Sequence, residues 1–321
     1  MLFIDMRFLL LCLFLPLTTL SQTVLEGKAQ GTYYVIKYIA ADTSSLQTEI
    51  DSIFAVIDQS LSLYKPNSLI NQFNEKGHVQ MDANMQAVIA RSLEISKITG
   101  GAFDITVNPL VDLWGFGVRQ PAERKIPSAD TINTVLKYVG TKYLKVKGTE
   151  LLRTKPNVSI DCNGIAQGYT TDVIGRFLDS KGIHNYLVDV GGELCAKGKN
   201  THQQYWTVGI EGEQQRIIPL ANRAVTTSGN YRRFFDSGNK RFAHTIDPRS
   251  GQAVHNNIIS VTVIATNAIT ADGFDNALIL MGVKRAFAFI KQHPELQLEA
   301  GFIYKDPEGN IQEAFSPGFP K

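Results

Sequence analysis

The chain has 321 residues, of which 44% are hydrophobic and 19% are charged. This balance is typical of a folded globular protein and excludes a chain that is disordered throughout. The 32 Lys and Arg residues nearly equal the 30 Asp and Glu residues, so the net charge of +2 gives no electrostatic reason to expect a nucleic acid partner.

The first 21 residues have the layout of a secretory signal peptide. Arg7 is followed by an unbroken apolar run over residues 8–15, and small polar residues lead up to Ser21. The run is shorter than the roughly 20 residues that a membrane-spanning helix needs. We therefore predict a signal peptide over residues 1–21, export from the cytoplasm, and one mature domain over residues 22–321.

The three cysteines are candidate sites for a lipid anchor, a disulfide bond or a zinc ion. Leu11 precedes Cys12, whereas small residues normally precede a cysteine that carries a lipid, so we expect no lipid anchor. Cys162 and Cys195 remain in the mature chain, where they could pair or act as two buried thiols. Neither lies in a C-x-x-C motif or a Cys/His cluster, so the cysteines predict no zinc site.

The N-terminal half of the chain mixes helical and strand patterns. Apolar residues recur at helical spacing over 45–61, and Asp82 and Ser128 are placed as N-caps of two further helices. β-Branched and aromatic residues mark the strands. The predicted elements are a strand over 31–39, helices over 45–61, 83–98 and 128–139, and short strands over 143–146 and 158–162.

The C-terminal half contains more strands than helices. The predicted elements are a helix over 165–180, strands over 186–190, 206–210 and 258–265, helices over 270–282 and 286–292, and a hairpin over 301–315 that turns at 307–310. No linker, repeat or charge block divides the chain. We therefore predict an α+β fold in two closely packed lobes.

The segment 270–282, TADGFDNALILMG, opens an apolar helix with polar residues. Asp272 and Asn276 lie one turn apart, so their oxygen atoms point the same way. Two hard oxygen donors at this spacing can hold part of a Mg²⁺ shell, which water and phosphate oxygens complete. Alternatively, an acidic residue in a first helical turn only complements the helix dipole. The residues that share the opposite, apolar face are Phe274, Ala277, Leu278 and Met281.

A glycine bend precedes another predicted helix, in the segment 159–172, SIDCNGIAQGYTTD. Asn163 and Gly164 turn the chain after a strand, and Gly168 lies in the first turns of the helix. Glycines at such a turn let phosphates approach the backbone N–H groups of a helix N-terminus. The spacing matches neither the dinucleotide-binding motif nor the P-loop. An ordinary turn with a small residue for packing is the alternative.

A histidine beside a turn is a candidate general base. His244 opens the segment HTIDPRSG, and imidazole exchanges protons near neutral pH. The same residue could be structural or simply exposed. Three arginines nearby, Arg232, Arg233 and Arg241, could bind phosphates or could lie on a solvated face.

Aromatic residues at two turns could contact a flat ligand. The segment 100–117, GGAFDITVNPLVDLWGFG, combines glycines with aromatic residues, and Tyr64 precedes a turn. The loop could pack against a ring or wrap the core. Tyr64 could be a stacking platform or a surface residue.

Taken together and in their order along the chain, nine segments resemble the ApbE family, the FAD:protein FMN transferases. The resemblance covers essentially all of the chain after the predicted signal peptide. It implies mixed, mostly antiparallel sheets packed with helices, in a fold related to the T-fold. The segments are QGTYY, SLYKPNSLINQFN, GGAFDITVNPLVDLWGFG, SIDCNGIAQGYTTD, YLVDVGGELCAKG, AVTTSGNYRRFF, HTIDPRSGQAV, SVTVIA and ADGFDNALILMG.

The resemblance implies a specific reaction. Enzymes of this family bind FAD with Mg²⁺, cleave its pyrophosphate, and transfer FMN to a Thr or Ser hydroxyl of a target protein while AMP leaves. Their targets are membrane-bound redox subunits of the Nqr and Rnf type. These targets are exposed outside the cytoplasm, so the resemblance implies a location on the periplasmic side of the inner membrane, with which a signal peptide agrees.

The resemblance also assigns residues. Asp272 and the carbonyl oxygen of Gly164 correspond to metal ligands, and Asn276 stands where the family usually has Thr. An amide oxygen is an equally hard donor, so coordination can survive this change. We expect His244 to act as the general base, with Asp272 as its rival. The positions that correspond to flavin- or adenine-contacting residues are Gln30, Tyr64, Ala102, Phe103, Asp104, Asp161, Gln167 and Ile246.

Two of these positions depart from the family pattern. Gln30 stands where the family has Met, and Gln167 stands where it has Lys, which removes a positive charge near the diphosphate. Two other functions therefore stay open. One is an FAD pyrophosphatase that uses water in the same site, and the other is a flavin-binding protein without catalytic activity.

Overall fold

The computed structural model describes residues 21–41, 45–118, 121, 124–210, 216–229, 234–237 and 240–320. The predicted signal segment up to residue 20 lies outside these ranges, as do Arg232, Arg233 and the side chain of Arg241. No helix within the ranges combines the length and the apolar character that crossing a bilayer requires.

The described chain contains fifteen strands and seven α-helices. The strands are β1 (Ser21–Ala29), β2 (Thr32–Ala40), β3 (His78–Gln80), β4 (Leu144–Lys147), β5 (Glu150–Arg153), β6 (Tyr186–Val190), β7 (Glu193–Lys197), β8 (Trp206–Ile210), β9 (Arg216–Leu220), β10 (Ala224–Gly229), β11 (Phe234–Ser237), β12 (Lys240–Ala243), β13 (Ile258–Ala265), β14 (Glu299–Lys305) and β15 (Ile311–Phe315). The helices are α1 (Gln47–Leu61), α2 (Leu69–Lys76), α3 (Ala83–Ile98), α4 (Asn108–Leu113), α5 (Ala129–Leu136), α6 (Ala166–Ser180) and α7 (Ala268–Gln292).

One large antiparallel sheet organises the fold. Its eight strands follow the order β1-β2-β6-β7-β10-β13-β14-β15, and every neighbouring pair is antiparallel. Helices α6 and α7 pack against each other and against the sheet, α6 on β6 and β7 and α7 on β10 and β13. The β8–β9 hairpin adds a further layer, where Trp206 and Val208 pack with Ile39 and Leu187 of the sheet. The predicted α+β fold with mostly antiparallel sheets is confirmed.

Helices with a local capping signal begin where the sequence predicts. Asp82 precedes α3, and its Oδ1 accepts a hydrogen bond of 2.8 Å from the backbone N–H of Met85. Ser128 precedes α5, and its Oγ accepts one of 3.2 Å from the N–H of Thr131. Both helix starts are confirmed, because an N-cap depends on residues within one turn.

The prediction of a strand over 158–162 is wrong. This segment joins no ladder, because its backbone bonds go to a side chain and a loop. Ile160 N donates to Asn74 Oδ1 (2.7 Å), and Asn74 Nδ2 donates to the Ile160 carbonyl (2.9 Å). Asp161 N donates to the Ile105 carbonyl (2.7 Å). The sequence pattern also predicts no element where ten of the described elements are found. These are β1, β3, β5, β7, β9, β10, β11, β12, α2 and α4.

The two helices predicted over 270–282 and 286–292 are found within α7 as two segments that meet at Gly282, whose φ of 70° and ψ of 163° are not helical. The aspartates of the first segment are buried together with its apolar residues. Asp272 and Asp275 are only 4% and 3% exposed, and Ile279 is fully buried. Because α6, β10 and β13 surround this segment, its polar residues are enclosed by protein and a cavity instead of facing solvent.

The start of α7 is held by α6. Both oxygens of Asp172 accept hydrogen bonds from α7, Oδ1 from Ala268 N (2.8 Å) and Oδ2 from Ile269 N (2.9 Å). Asn267 caps the same end by accepting from Thr270 N at 3.1 Å. Burial raises the pKa of Asp172, and the two N–H groups oppose that rise. These bonds determine where the next turn of α7, with Asp272, lies relative to α6.

We expect Asp172→Ala to lower the free energy of unfolding by about 2–4 kcal/mol, because two buried N–H groups of α7 lose their acceptors. Urea denaturation measures this change. Asp130→Ala is the control, since Asp130 is an exposed residue in the first turn of α5 and its loss should cost less than about 1 kcal/mol. Equal losses in the two variants would contradict a capping role for Asp172.

Candidate functional site

One cavity of about 830 Å³ is lined by all twelve residues that the family resemblance assigns to the site. Its size lies in the range of cofactor and substrate sites. Its walls come from the β1–β2 turn, the end of α1, the loop before α4, the bend before α6, the segment after β12, and α7. The predicted residues found in the wall are Gln30, Tyr64, Ala102, Phe103, Asp104, Asp161, Gly164, Gln167, His244, Ile246, Asp272 and Asn276.

The glycine bend meets α7 at close range. A methyl group on Gly164 would lie 3.3 Å from Nδ2 of Asn276. The backbone N–H of Gly168 donates a 2.9 Å hydrogen bond to Oδ2 of Asp272. A side chain at Gly168 would overlap the Ala268 carbonyl oxygen and lie 2.7 Å from Cβ of Asp272. The absence of a side chain at residue 168 therefore permits the contact between α6 and α7.

Two buried carboxyl groups line this wall. Burial raises the pKa of Asp272; the Gly168 N–H opposes the rise, and the charge of Asp172 adds to it. The pKa of Asp275 is raised well above its usual range by burial, and then by the charges of Asp272 and Glu193. Oδ2 of Asp275 accepts a long 3.4 Å hydrogen bond from Thr226, and Oδ1 is buried without a hydrogen-bond partner in the described chain.

Asn276 lies between the bend and two hydroxyl groups. Its Oδ1 accepts hydrogen bonds of 3.3 Å from Ser228 Oγ and from Thr245 Oγ1, while its amide nitrogen faces Gly164. Rotating the amide by half a turn would exchange the two atoms. The amide oxygen would then face the Gly164 side, which is the orientation that the predicted metal coordination requires.

His244 follows β12 and is half-buried in the cavity wall. Its ring packs edge-on against Phe116, with 6.5 Å between the ring centroids and 70° between the planes. The following turn is braced by Arg249, whose Nη2 lies 2.8 Å from Oδ2 of Asp247. Burial raises the pKa of Asp247, but the hydrogen bonds and charge of Arg249 outweigh burial and leave the pKa lowered. A braced turn keeps the imidazole at the cavity.

Two aspartates in the wall accept hydrogen bonds from backbone N–H groups of the surrounding loops. Oδ1 of Asp104 accepts from the N–H of Thr106 (2.8 Å) and Oδ2 accepts from Thr141 N (3.0 Å). Oδ1 of Asp161 accepts from Asn163 N (2.7 Å) and so closes the turn that leads into Gly164. Both carboxylates thus shape the loops that surround the cavity.

The charge of the wall favours a cation. Lys65 is the one lysine or arginine among the described lining residues, whereas Asp58, Glu193, Asp272 and Asp275 are all in the wall. Within the described ranges, no group of three or more His, Cys, Asp or Glu side chains is arranged to hold a metal ion. A metal here would therefore also need oxygens from amide or carbonyl groups, as the pair Asn276 and Gly164 would supply.

Sequence reasoning missed several polar residues in the wall. Asp275 belongs to the same segment as Asp272 but received no role. Its spacing of three residues from Asp272 is a signal that could have found it, because residues three apart are neighbours on a helix surface. Ser228, Thr245 and Asp58 had no recognisable signal, since strands and loops far apart in the chain bring them to the cavity.

Comparisons with known proteins agree with this arrangement. The sequence model of the ApbE family matches residues 30–300. The FAD:protein FMN transferase of Vibrio cholerae is 34% identical over 311 residues, which are 92% of this chain and 91% of the relative. The enzyme of the same name from Salmonella typhimurium is 35% identical over 313 residues, covering 92% and 88% of the two chains.

Solved structures show the same fold. The flavin transferase ApbE from Vibrio cholerae superimposes with a TM-score of 0.85 at 33% identity, over 94% of this chain and 99% of that one. The apo form of the flavinyl transferase ApbE from Pseudomonas stutzeri superimposes with a TM-score of 0.86 at 30% identity, over 93% and 95%.

We expect Gly168→Ala to lower the free energy of unfolding by about 1–3 kcal/mol, because the new methyl group overlaps the backbone of α7. Without that overlap, the change would stabilise a helix by about 0.5–1 kcal/mol. Gly175→Ala in the same helix is the control, because its methyl group would meet only side chains, Tyr186 at 3.1 Å and Cys195 at 3.3 Å, which can shift. Urea denaturation compares the two variants. A stabilised Gly168→Ala protein would refute the close contact.

Proposed function

This chain belongs to the ApbE family and is a flavin transferase, and from that premise we propose that it uses Mg²⁺ to transfer FMN from FAD to a Thr or Ser hydroxyl of a target protein, releasing AMP. FAD as the substrate and a protein as the acceptor follow from the name that its relatives share. We propose in addition that the cation is Mg²⁺, that the leaving group is AMP and that the acceptor residue is Thr or Ser.

The observation that carries the proposal is the wall where the glycine bend meets α7. Among the described residues, Oδ1 of Asp275 is buried without a hydrogen-bond partner next to the buried Asp272, and Lys65 is the one lysine or arginine in the cavity wall. Uncompensated buried carboxylates are costly, and a divalent cation bound by oxygen atoms removes that cost. The donor set therefore fits Mg²⁺.

The residues that would hold Mg²⁺ are Asp272, Asn276 and the carbonyl group of Gly164, with Asp275 as a further carboxylate. When bound, Mg²⁺ neutralises negative charge that develops on the diphosphate oxygens. The chain itself orients these donors. The N–H of Gly168 holds Asp272. With the amide of Asn276 rotated, its Nδ2 would donate to the hydroxyl oxygens of Ser228 and Thr245, and its Oδ1 would face the Gly164 side.

The acceptor hydroxyl needs a base as it attacks. Its oxygen forms a bond to the FMN phosphorus, the bond from that phosphorus to the bridging oxygen breaks, and AMP leaves with that oxygen. We assign the hydroxyl proton to His244, which is half-buried in the same cavity. Asp272 is the weaker candidate, because its Oδ2 already accepts the Gly168 N–H and the residue would also hold Mg²⁺.

The rest of the cavity would bind the two ring systems and the phosphates of FAD. Apolar and aromatic walls at Tyr64, at Ala102 and Phe103, and at Ile246 suit flat rings. Asp161 and Gln167 stand at the bend beside the proposed metal. Gln167 supplies no positive charge there, so the proposed cation and Lys65 would carry the neutralisation of the phosphates.

We further propose that the protein acts on the periplasmic side of the inner membrane, on redox subunits of the Nqr or Rnf type. The N-terminal pattern of Arg7, an apolar run over 8–15 and small residues up to Ser21 supports export. An exported enzyme would reach targets that are exposed outside the cytoplasm.

The test incubates the protein with FAD, Mg²⁺ and a target domain that contains the acceptor threonine. We expect covalently bound, fluorescent flavin on the target and one AMP per flavin. We expect Asp272→Ala to lower AMP release by at least about 100-fold, since loss of a group that merely supports a ligand already costs about 10- to 100-fold. Calorimetric titration with Mg²⁺ should show weakened binding in this variant.

Asp130→Ala, on the exposed side of α5, is the control and should match the unmodified protein. Free FMN without labelled target would support hydrolysis in place of transfer, and bound flavin without AMP would support a binding protein. Full activity and unchanged Mg²⁺ binding in Asp272→Ala would refute the metal assignment.

We expect His244→Ala to keep its affinity for FAD but to lose about 10²- to 10⁴-fold in the rate of transfer, because the hydroxyl has no base. Fluorescence titration measures the affinity, and labelling of the target measures the rate. The control is His255→Ala, since His255 packs on Phe242 and is absent from the cavity wall. A transfer rate that is unchanged in His244→Ala would rule out the assigned role.

A further inference from the structure

The β1–β2 turn places a glutamine in a conformation that few residues adopt. Ala29 pairs with Thr32, so Gln30 and Gly31 alone make the turn, with φ of 52° and 76°. Two-residue turns of this left-handed kind favour Asn, Asp and Gly. A glutamine here is unusual, and unfavourable backbone geometry often marks a residue with a function.

The amide of Gln30 is locked in one orientation. Its Nε2 donates a 3.0 Å hydrogen bond to Oγ1 of Thr170. Thr170 has already donated its own hydroxyl proton to the Ala166 carbonyl at 2.8 Å, so its oxygen can only accept from Gln30. Turning the amide round would set its oxygen against the oxygen of Thr170, which has no proton left to donate.

This orientation leaves the oxygen of the amide unused. Oε1 of Gln30 is buried and has no hydrogen-bond partner in the part of the chain that the structure describes. Gln30 lies in the wall of the 830 Å³ cavity, beside Ile57, Leu61 and Tyr64, whose side chains suit the faces of a flat ring. A buried acceptor without a donor is unfavourable, so a ligand that supplies an N–H group would satisfy it.

We propose that Gln30 is a specificity-determining residue, whose Oε1 accepts a hydrogen bond from an N–H group at the edge of one of the two rings of FAD. This inference rests on the proposed function, because it takes FAD as the ligand of the cavity. Two ring edges have the required chemistry, the 6-amino group of adenine and the N3–H of the isoalloxazine. Because the hydrogen bond from Nε2 to Thr170 fixes the amide with its oxygen unpaired, Gln30 would select a ligand that supplies a donor at this point.

The test compares mononucleotides that differ at a single donor. Dissociation constants are measured by calorimetry for AMP against purine riboside 5′-monophosphate, which lacks the amino group, and for FMN against N3-methyl-FMN, which lacks the N–H. We expect a preference of about 10-fold or more for the donor in one of the two pairs, since sites built around a hydrogen bond reject ligands that lack it. The pair that shows it identifies the ring.

Gln30→Met keeps the length of the side chain and removes the amide. In this variant the preference should fall to within about twofold, while the other pair is unaffected. Gln22→Met, on the exposed edge of β1, is the control and should keep the preference. A second variant, Thr170→Val, removes the acceptor that fixes the amide of Gln30, and it should weaken the same preference if Gln30→Met does not fold.

The inference is overturned if the unmodified protein shows no preference in either pair, or if the preference survives both variants. Flavin transfer is measured in parallel. Normal transfer without a donor preference overturns this inference alone, whereas an intact preference without transfer overturns the proposed function alone.

Discussion

The site depends on the contact between α6 and α7 at Gly168. The helices approach so closely there that a methyl group on residue 168 would overlap the Ala268 carbonyl. The same approach lets the Gly168 N–H reach Asp272, and four residues later Asp172 accepts both N–H groups at the start of α7. Two helices joined in this way cannot slide independently, so the glycine bend before α6 and the carboxylates of α7 keep a constant relation.

That contact explains why acidic side chains can be buried in a core. Asp172 is satisfied by the helix it caps, and Asp272 by one N–H group, whereas Oδ1 of Asp275 has no partner among the described residues. The carboxylates are therefore of two kinds. Those bonded to protein N–H groups stabilise the fold, and the one with an oxygen unpartnered in the described chain lines the cavity. A site that concentrates acceptors in this way suits a hard cation and, through it, a diphosphate.

Other polar groups around the cavity also divide into those with hydrogen-bond partners in the protein and those without. Asp104 and Asp161 use their oxygens to shape the loops around the cavity, and Asn74 completes the backbone hydrogen bonds of Ile160. Gln30 is the contrasting case, because its nitrogen donates to Thr170 while its oxygen has no hydrogen-bond partner among the described residues. A buried polar atom without a hydrogen-bond partner in the described protein is available to bind a ligand.

The sequence alone determined what depends on residues within a turn or on the order of motifs. It determined the caps at Asp82 and Ser128, seven of the fifteen described strands, and the family, whose resemblance implies roles for Asp272, Asn276 and Gly164. The tertiary structure alone decided how distant parts meet. It paired the segment 158–162 with Asn74 instead of a strand, enclosed the first half of α7, and locked the amide of Gln30. The physical reason is that hydrogen-bond partners far apart in the chain, and the water excluded between them, leave no local pattern in the sequence.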